Sequence, residues 1–216
     1  CAIKHNPDLE LVAVFTRRDP ATVKILTDSA SVYHVDEAEK MKDKILEHIE
    51  VLVTRYPVLE ASKAEIIAAY QIIEESYKNG GKLLVAGNGG SAADAEHIVG
   101  ELMKGFKLPR KPQSDFADKL IHENAELGVV LAENLQGALP AIALDGHPAL
   151  STAYMNDCEP LLCFAQQVNG YGNTGDVFLG ISTSGNSKNV LYAATTAHAK
   201  GMKVIGLTGA KSGKLE

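Results

Sequence analysis

The chain has 216 residues, 45% of them hydrophobic and 22% charged, which is enough apolar content for a sizeable core and an ordinary balance for a globular protein. A formal net charge of −6 argues against nucleic acid and anionic membrane surfaces as partners, and no apolar run approaches the roughly 18 residues of a spanning helix. The three cysteines, Cys1, Cys158 and Cys163, have no metal-binding spacing, which together with the lack of a signal peptide points to reduced thiols and a cytoplasmic setting.

The chain opens at Cys1 without an initiator Met, so its natural start is expected to lie elsewhere. Residues 9–15 alternate and cluster apolar side chains as a strand does, and Thr16-Arg17-Arg18-Asp19-Pro20 turns the chain after it. Residues 36–54 read as a helix, with Met41, Ile45, Ile49 and Val53 spaced four apart on one apolar stripe. The run from Lys4 to Arg18 resembles meso-diaminopimelate dehydrogenase just after its first strand. That resemblance implies that Thr16-Arg17-Arg18 would face the 2′-phosphate of NADP, a match for guanidinium forks. The first strand and the Gly-x-Gly-x-x-Gly turn that cradle the pyrophosphate are absent. The arginine pair therefore reads as a surface basic spot, NADP is not expected to bind, and residues 1–45 form a partial dehydrogenase-like βα arm. The main domain is expected over 46–216.

Within that domain Ser62-x-x-Glu65 reads as a capping box opening a helix whose buried stripe is Ile66, Tyr70, Ile73 and Tyr77. Asn79-Gly80-Gly81 ends it. A strand over 82–87 leads into Gly87-Asn88-Gly89-Gly90-Ser91, followed by an alanine-rich helix in which His97 and Glu101 stand four apart on one face. Residues 104–116, rich in Lys and Pro, read as a loop, and 117–136 as a helix. Strands are expected at 140–145, 177–183 and 203–208, with a helix between the last two that turns Val190, Leu191, Ala194 and Ala197 inward. Strands alternating with helices in this way make an α/β fold with a parallel sheet covered on both faces.

The Gly87 turn admits three readings. Gly87-x-Gly89-x-x-Ala92 fits a loose dinucleotide fingerprint, but the acidic residue that should follow after roughly 20 positions has no strand end to sit on. It also reads as a plain glycine turn with a solvated His–Glu pair. The third reading is a sugar-phosphate site with a metal or an acid–base pair on the helix. The second loop favours the third. Ser182, Thr183, Ser184 and Ser187 place four hydroxyls in six residues between a strand and a helix N-terminus, where hydroxyls and free amides can donate to a phosphate. Capping needs only one of them.

Gly-Asn-Gly-Gly-Ser at 87–91 with Gly-Ile-Ser-Thr-Ser-Gly-Asn-Ser at 180–187 resembles the sugar isomerase (SIS) fold and, within it, the phosphoheptose isomerases. The similarity covers residues 48–216. It implies a three-layer αβα sandwich and interconversion of sedoheptulose 7-phosphate with an aldose through an enediol. The alternative is a non-catalytic module of the same fold that binds a sugar phosphate or a partner protein, against which the His97–Glu101 pair counts. It also implies a cytoplasmic homo-oligomer, a tetramer, with a zinc ion. By the same resemblance Asn88, Gly89, Gly90, Ser91, Glu101, Asn156, Asp157, Ser182, Thr183, Ser184 and Ser187 would hold the phosphorylated sugar. His97 and Glu101 would ligate zinc and form the catalytic pair, Glu101 as base and His97 with zinc as the electrophilic side. The fold of that family carries a fifth strand and a helix with a further Gln and His, and the sequence stops at Glu216 before any such segment. The expectation is thus an SIS sheet lacking its last strand and helix, with an incomplete zinc site, weak zinc binding and low activity.

Overall fold

The computed structural model describes residues 2–3, 26–27, 43–105, 110–209 and 213–215. Strands β1 (Ala2–Ile3) and β2 (Leu26–Thr27) pair in parallel as a two-stranded sheet. The strand expected over 9–15, the Thr16-Arg17-Arg18 turn and Met41 lie outside the described residues. Helix α1 (Asp43–Arg55) follows the expected stripe where it is described, with Ile49 and Val53 buried.

A 3-10 turn, Pro57–Ser62, leads straight into α2 (Lys63–Lys78). This removes the expected capping box. The Lys63 amide is already bonded to the Glu60 carbonyl, and Ser62 is buried and makes no cap bond. The buried stripe of α2 is also rotated from the expected one. It runs through Glu65, Ile66, Ala69, Ile72 and Ser76, while Tyr70 turns to bond Glu74 at 2.7 Å. Small side chains explain the rotation: Ala69 and Ser76 bring the helix backbone close to the sheet, and Ser76 Oγ donates to the Gly175 carbonyl at 2.8 Å. Ile73 and Tyr77 pack at the flank of the same core. The expected stop is present. Gly80 takes φ +77°, and the Gly80 and Gly81 amides close back on the Tyr77 and Ser76 carbonyls.

Four parallel strands form the main sheet: β3 (Leu83–Ala86), β4 (Ala141–Ala143), β5 (Val177–Ser182) and β6 (Lys203–Thr208), in the order β4-β3-β5-β6. Their side chains alternate between two cores. Leu83, Val85, Val177, Leu179, Ile181, Ile205 and Leu207 meet α1, α2 and Ala95 of α3 (Gly90–Met103) on one face. Leu84, Ala86, Phe178 and Val204 meet α7 (Cys163–Tyr171) and α8 (Lys188–Ala199) on the other. This is the three-layer αβα sandwich. The other α-helices among the described residues are α4 (Ser114–Glu123), α5 (Ala125–Asn134) and α6 (Pro148–Asp157).

The single helix expected over 117–136 is a helical hairpin. Asn124 breaks it: its backbone is extended, and its side chain caps α5 by accepting from the Glu126 and Leu127 amides at 3.1 and 2.8 Å. Gly128 lets the two helices touch, since a Cβ there would lie 2.1 Å from the Leu120 carbonyl oxygen. The loop before it is correspondingly shorter, ending at Gln113.

The strand order decides where a ligand can bind. From β3 the chain moves to β4 on one side, then crosses to β5 on the other. The β3 and β5 exits therefore diverge and leave a crevice at the carboxyl ends of these two neighbouring strands. The Gly87 turn follows β3 and the hydroxyl loop follows β5, so both candidate loops border it.

Candidate functional site at the β3–β5 crevice

The turn after β3 is built by its glycines. Gly87 is buried, and a Cβ on it would fall 2.5 Å from the Ser91 carbonyl oxygen. Gly89 takes φ +56° and ψ −119°, a backbone region for glycine. No side chain caps α3; Ser91 and Ala92 bond back to the Asn88 and Gly89 carbonyls instead. Asn88, Gly89 and Gly90 stand exposed at the rim, whereas Ser91 is buried beneath the turn.

The loop after β5 divides its hydroxyls. Ser182 is buried, and its Oγ bonds Ser187 Oγ at 2.9 Å and accepts from the Ser187 amide at 3.4 Å, closing the loop from beneath. Thr183 and Ser184 are exposed. Ser184 Oγ accepts from the Asn186 amide at 3.2 Å. Ser187 makes no side-chain cap bond on α8, so the helix start is left to the loop. The chain returns over this loop at 213–215. The Lys214 amide donates to Asn186 Oδ1 at 3.1 Å, the Leu215 amide to the Gly185 carbonyl at 2.8 Å, and the Leu215 side chain is buried in the second core.

A direct contact ties the turn after β3 to the first turn of α8, just past the hydroxyl loop. The carboxamides of Asn88 and Asn189 bond each other reciprocally, Nδ2 of each to Oδ1 of the other, at 3.0 and 2.7 Å. Asn189 had no role in the sequence reading. The hydroxyls dominate that stretch, and an amide on the first turn of a helix gives no sequence signal of its own.

His97 and Glu101 share a face of α3, with Nε2 3.7 Å from Oε1. Nearly half of the His97 side chain and about a quarter of the Glu101 side chain are exposed, at 48% and 27%. Lys104 Nζ lies 3.5 Å from both Glu101 oxygens. The described residues gather no group of three or more His, Cys, Asp or Glu side chains able to hold a metal. The pair supplies two donors, and a tetrahedral zinc site takes four. Asn156 donates to Asp157 at 2.8 Å, both exposed at the end of α6.

Asp145, just beyond β4, is a second residue without an assignment from sequence. Its Oδ1 is buried with no hydrogen-bond partner among the described residues. Burial raises its pKa from the ordinary 3.8; its own backbone amide pulls it down, Glu96 pushes it up again, and His147 lowers it. A carboxyl whose pKa is raised by folding favours the folded state when protonated. Its penalty is absent below the unfolded value and grows as pH rises through the folded one. Asp145→Asn should therefore raise the Tm modestly at pH 7. In a pH series of thermal melts the gain should shrink to nothing as pH falls toward 3.8.

A family model described as the SIS domain matches residues 48–119 and 125–209. The chain is 38% identical to a phosphoheptose isomerase of a Nitratiruptor species, over 82% of this chain and 80% of that one. It is 35% identical to a phosphoheptose isomerase of Coxiella burnetii, over 77% and 70%. Among solved structures, a phosphoheptose isomerase from Francisella tularensis superimposes with a TM-score of 0.59 at 34% identity, covering 81% of this chain and 80% of that one. The family match begins at residue 48 and lends no support to the dehydrogenase-like reading of residues 1–45. It breaks at 120–124, where α4 gives way to α5.

Proposed function

The chain belongs to the SIS domain family, among its phosphoheptose isomerases, and we propose that it interconverts sedoheptulose 7-phosphate and D-glycero-D-manno-heptose 7-phosphate at the β3–β5 crevice. The observation that carries this reading is the pairing of a glycine turn and a hydroxyl loop across the crevice, tied by Asn88 and Asn189, with an acid–base pair on the helix that leaves the turn.

In this reading Thr183, Ser184 and the start of α8 hold the phosphate, with Ser182 and Ser187 keeping the loop closed beneath it. Asn88, Gly89 and Gly90 line the sugar over Ser91, and Asn156 and Asp157 complete its surroundings. Glu101 takes a proton from C1. The C–H electrons form the C1=C2 bond, and the carbonyl electrons pass to O2, which takes a proton from His97. In the second half O1 gives a proton back to His97 as the C1 aldehyde forms, and Glu101 returns its proton to C2. His97 serves as the donor facing the enediolate oxygen. Binding energy from the phosphate holds C1 against the carboxylate. A zinc ion would find only His97 and Glu101 among the described residues, short of a tetrahedral set.

The protein would work as a cytoplasmic homo-oligomer. Phe116, Ile121, Leu127 and Val130 of the α4–α5 hairpin are each at least 40% exposed, an apolar face suited to a second copy. No helix among the described residues is long and apolar enough to cross a membrane.

Incubation with sedoheptulose 7-phosphate, following aldose formation, tests the function; no aldose from the folded protein overturns it. Ser184→Ala should weaken phosphosugar binding by about 1 kcal/mol or more, the worth of a hydrogen bond to a charged group. Unchanged affinity by calorimetry after replacing both Ser182 and Ser184 would remove the phosphate from this loop.

A further inference from the structure

Asn88 is an exposed carboxamide at the rim of the crevice, and by itself it could present either edge to a ligand. Asn189 removes that freedom. The Val190 amide donates to Asn189 Oδ1 at 3.0 Å, which identifies the oxygen of that carboxamide. Asn189 Nδ2 must then donate to Asn88 Oδ1, at 2.7 Å, and Asn189 Oδ1 accept from Asn88 Nδ2, at 3.0 Å. A carboxamide has two N–H donors and two acceptor lone pairs. With one of each engaged by Asn189, Asn88 keeps one N–H and one lone pair, in a fixed orientation. That is the pattern a sugar hydroxyl, or a carbonyl beside a hydroxyl, can satisfy.

We propose that Asn189 is a positioning residue for the phosphosugar: it locks the orientation of the Asn88 carboxamide and with it the spacing between the glycine turn and the hydroxyl loop. The proposal rests on the site assignment above. It is specific about sequence distance, since Asn88 and Asn189 are 101 residues apart and join the exits of adjacent strands. The lock adds to the pairing of β3 with β5 in keeping the two loops in register before a ligand arrives. Each loop carries a positive-φ backbone that favours glycine, at Gly89 and Gly185. Their mutual position is set by the strand pairing and the amide pair together.

The test is a double-mutant cycle with Asn88→Ala, Asn189→Ala and the double variant, on the full chain. Sugar-phosphate binding is read by calorimetry and isomerisation by KM and kcat. Asn189→Ala should raise KM for sedoheptulose 7-phosphate by up to about tenfold, the scale of a lost hydrogen bond. It should leave kcat and the affinity for inorganic phosphate within about twofold, and have no further effect once Asn88 is alanine. Asn189→Asp, which keeps the bond to the Val190 amide but loses the donor to Asn88, should reproduce the KM rise if the alanine variant folds poorly. Additive effects of the two alanine substitutions, or parallel losses of phosphate affinity and KM, would overturn the proposal. A wild-type protein that binds sedoheptulose 7-phosphate but does not isomerise it would overturn the functional assignment instead. The amide coupling would then still be decided by the calorimetric cycle.

Discussion

Glu101→Gln should lower kcat for ketose–aldose interconversion by about a thousandfold, within the range of roughly 10² to 10⁴ that a positioned general base contributes. The substitution keeps the shape of the side chain and its position on α3 and removes its charge, and with the charge the ability to take a proton. Phosphosugar binding should therefore change little, and the loss should appear in kcat rather than KM. A sharper readout is exchange of the C1 hydrogen with deuterated water, which reports proton abstraction without requiring turnover; it should vanish in the glutamine variant. His97→Asn should cost less, because it removes a donor to the enediolate but leaves the base. The contact with Lys104, at 3.5 Å from both carboxylate oxygens, offers an internal comparison. Lys104→Met takes away a neighbouring charge while leaving the acid–base pair in place, so its effect should fall far short of that of Glu101→Gln. A glutamine variant that retains more than about a tenth of wild-type kcat would show that the base is another group.

The layer architecture was legible because strand and helix periods are written directly in the residues. Each of the four main strands lies within its expected span, from Leu83–Ala86 to Lys203–Thr208. What escaped was decided by contacts rather than by periodicity. The buried stripe of α2 turned toward Ala69 and Ser76 because small residues let the backbone approach the sheet. The helix over 117–136 split at Asn124, where a side chain that is merely neutral within a helix becomes a strong cap once the backbone extends. At the site, the hydroxyl cluster and the glycine turn announced themselves by composition. Their division of labour did not. Ser182 and Ser91 are buried, Thr183 and Ser184 are presented, and only the strand order β4-β3-β5-β6 brings Asn88 to Asn189. Pairing between residues 101 apart is a property of topology, which no local pattern encodes.

The glycine turn yields the largest structural effect. Gly87→Ala should both destabilise the protein and abolish phosphosugar binding. A Cβ at this position would lie 2.5 Å from the Ser91 carbonyl oxygen, 2.6 Å from its carbon and 2.8 Å from its Cβ. Two of those atoms are backbone in the first turn of α3, so no side-chain rotation relieves the clash, and the helix start has to move. Overpacking of this kind costs about 1–3 kcal/mol, and in a chain of this size each kcal/mol shifts Tm by about 2–4 °C. The displacement matters more for function than the energy, because α3 carries Asn88 at its entry and His97 and Glu101 along its length. Two other glycines separate the possible causes. Gly89 has open space around a Cβ but φ +56°, so Gly89→Ala should be strained by its backbone alone, about 1–3 kcal/mol, without pushing the helix. Gly100, within α3, has open space and no positive φ, so Gly100→Ala should stabilise by about 0.4–1 kcal/mol. Thermal melts of the three variants should rank Gly100→Ala above wild type and both turn variants below it. Calorimetry should show phosphosugar binding lost in Gly87→Ala. A Gly87→Ala protein that melts and binds like wild type would mean that the contact with Ser91 does not set the position of α3.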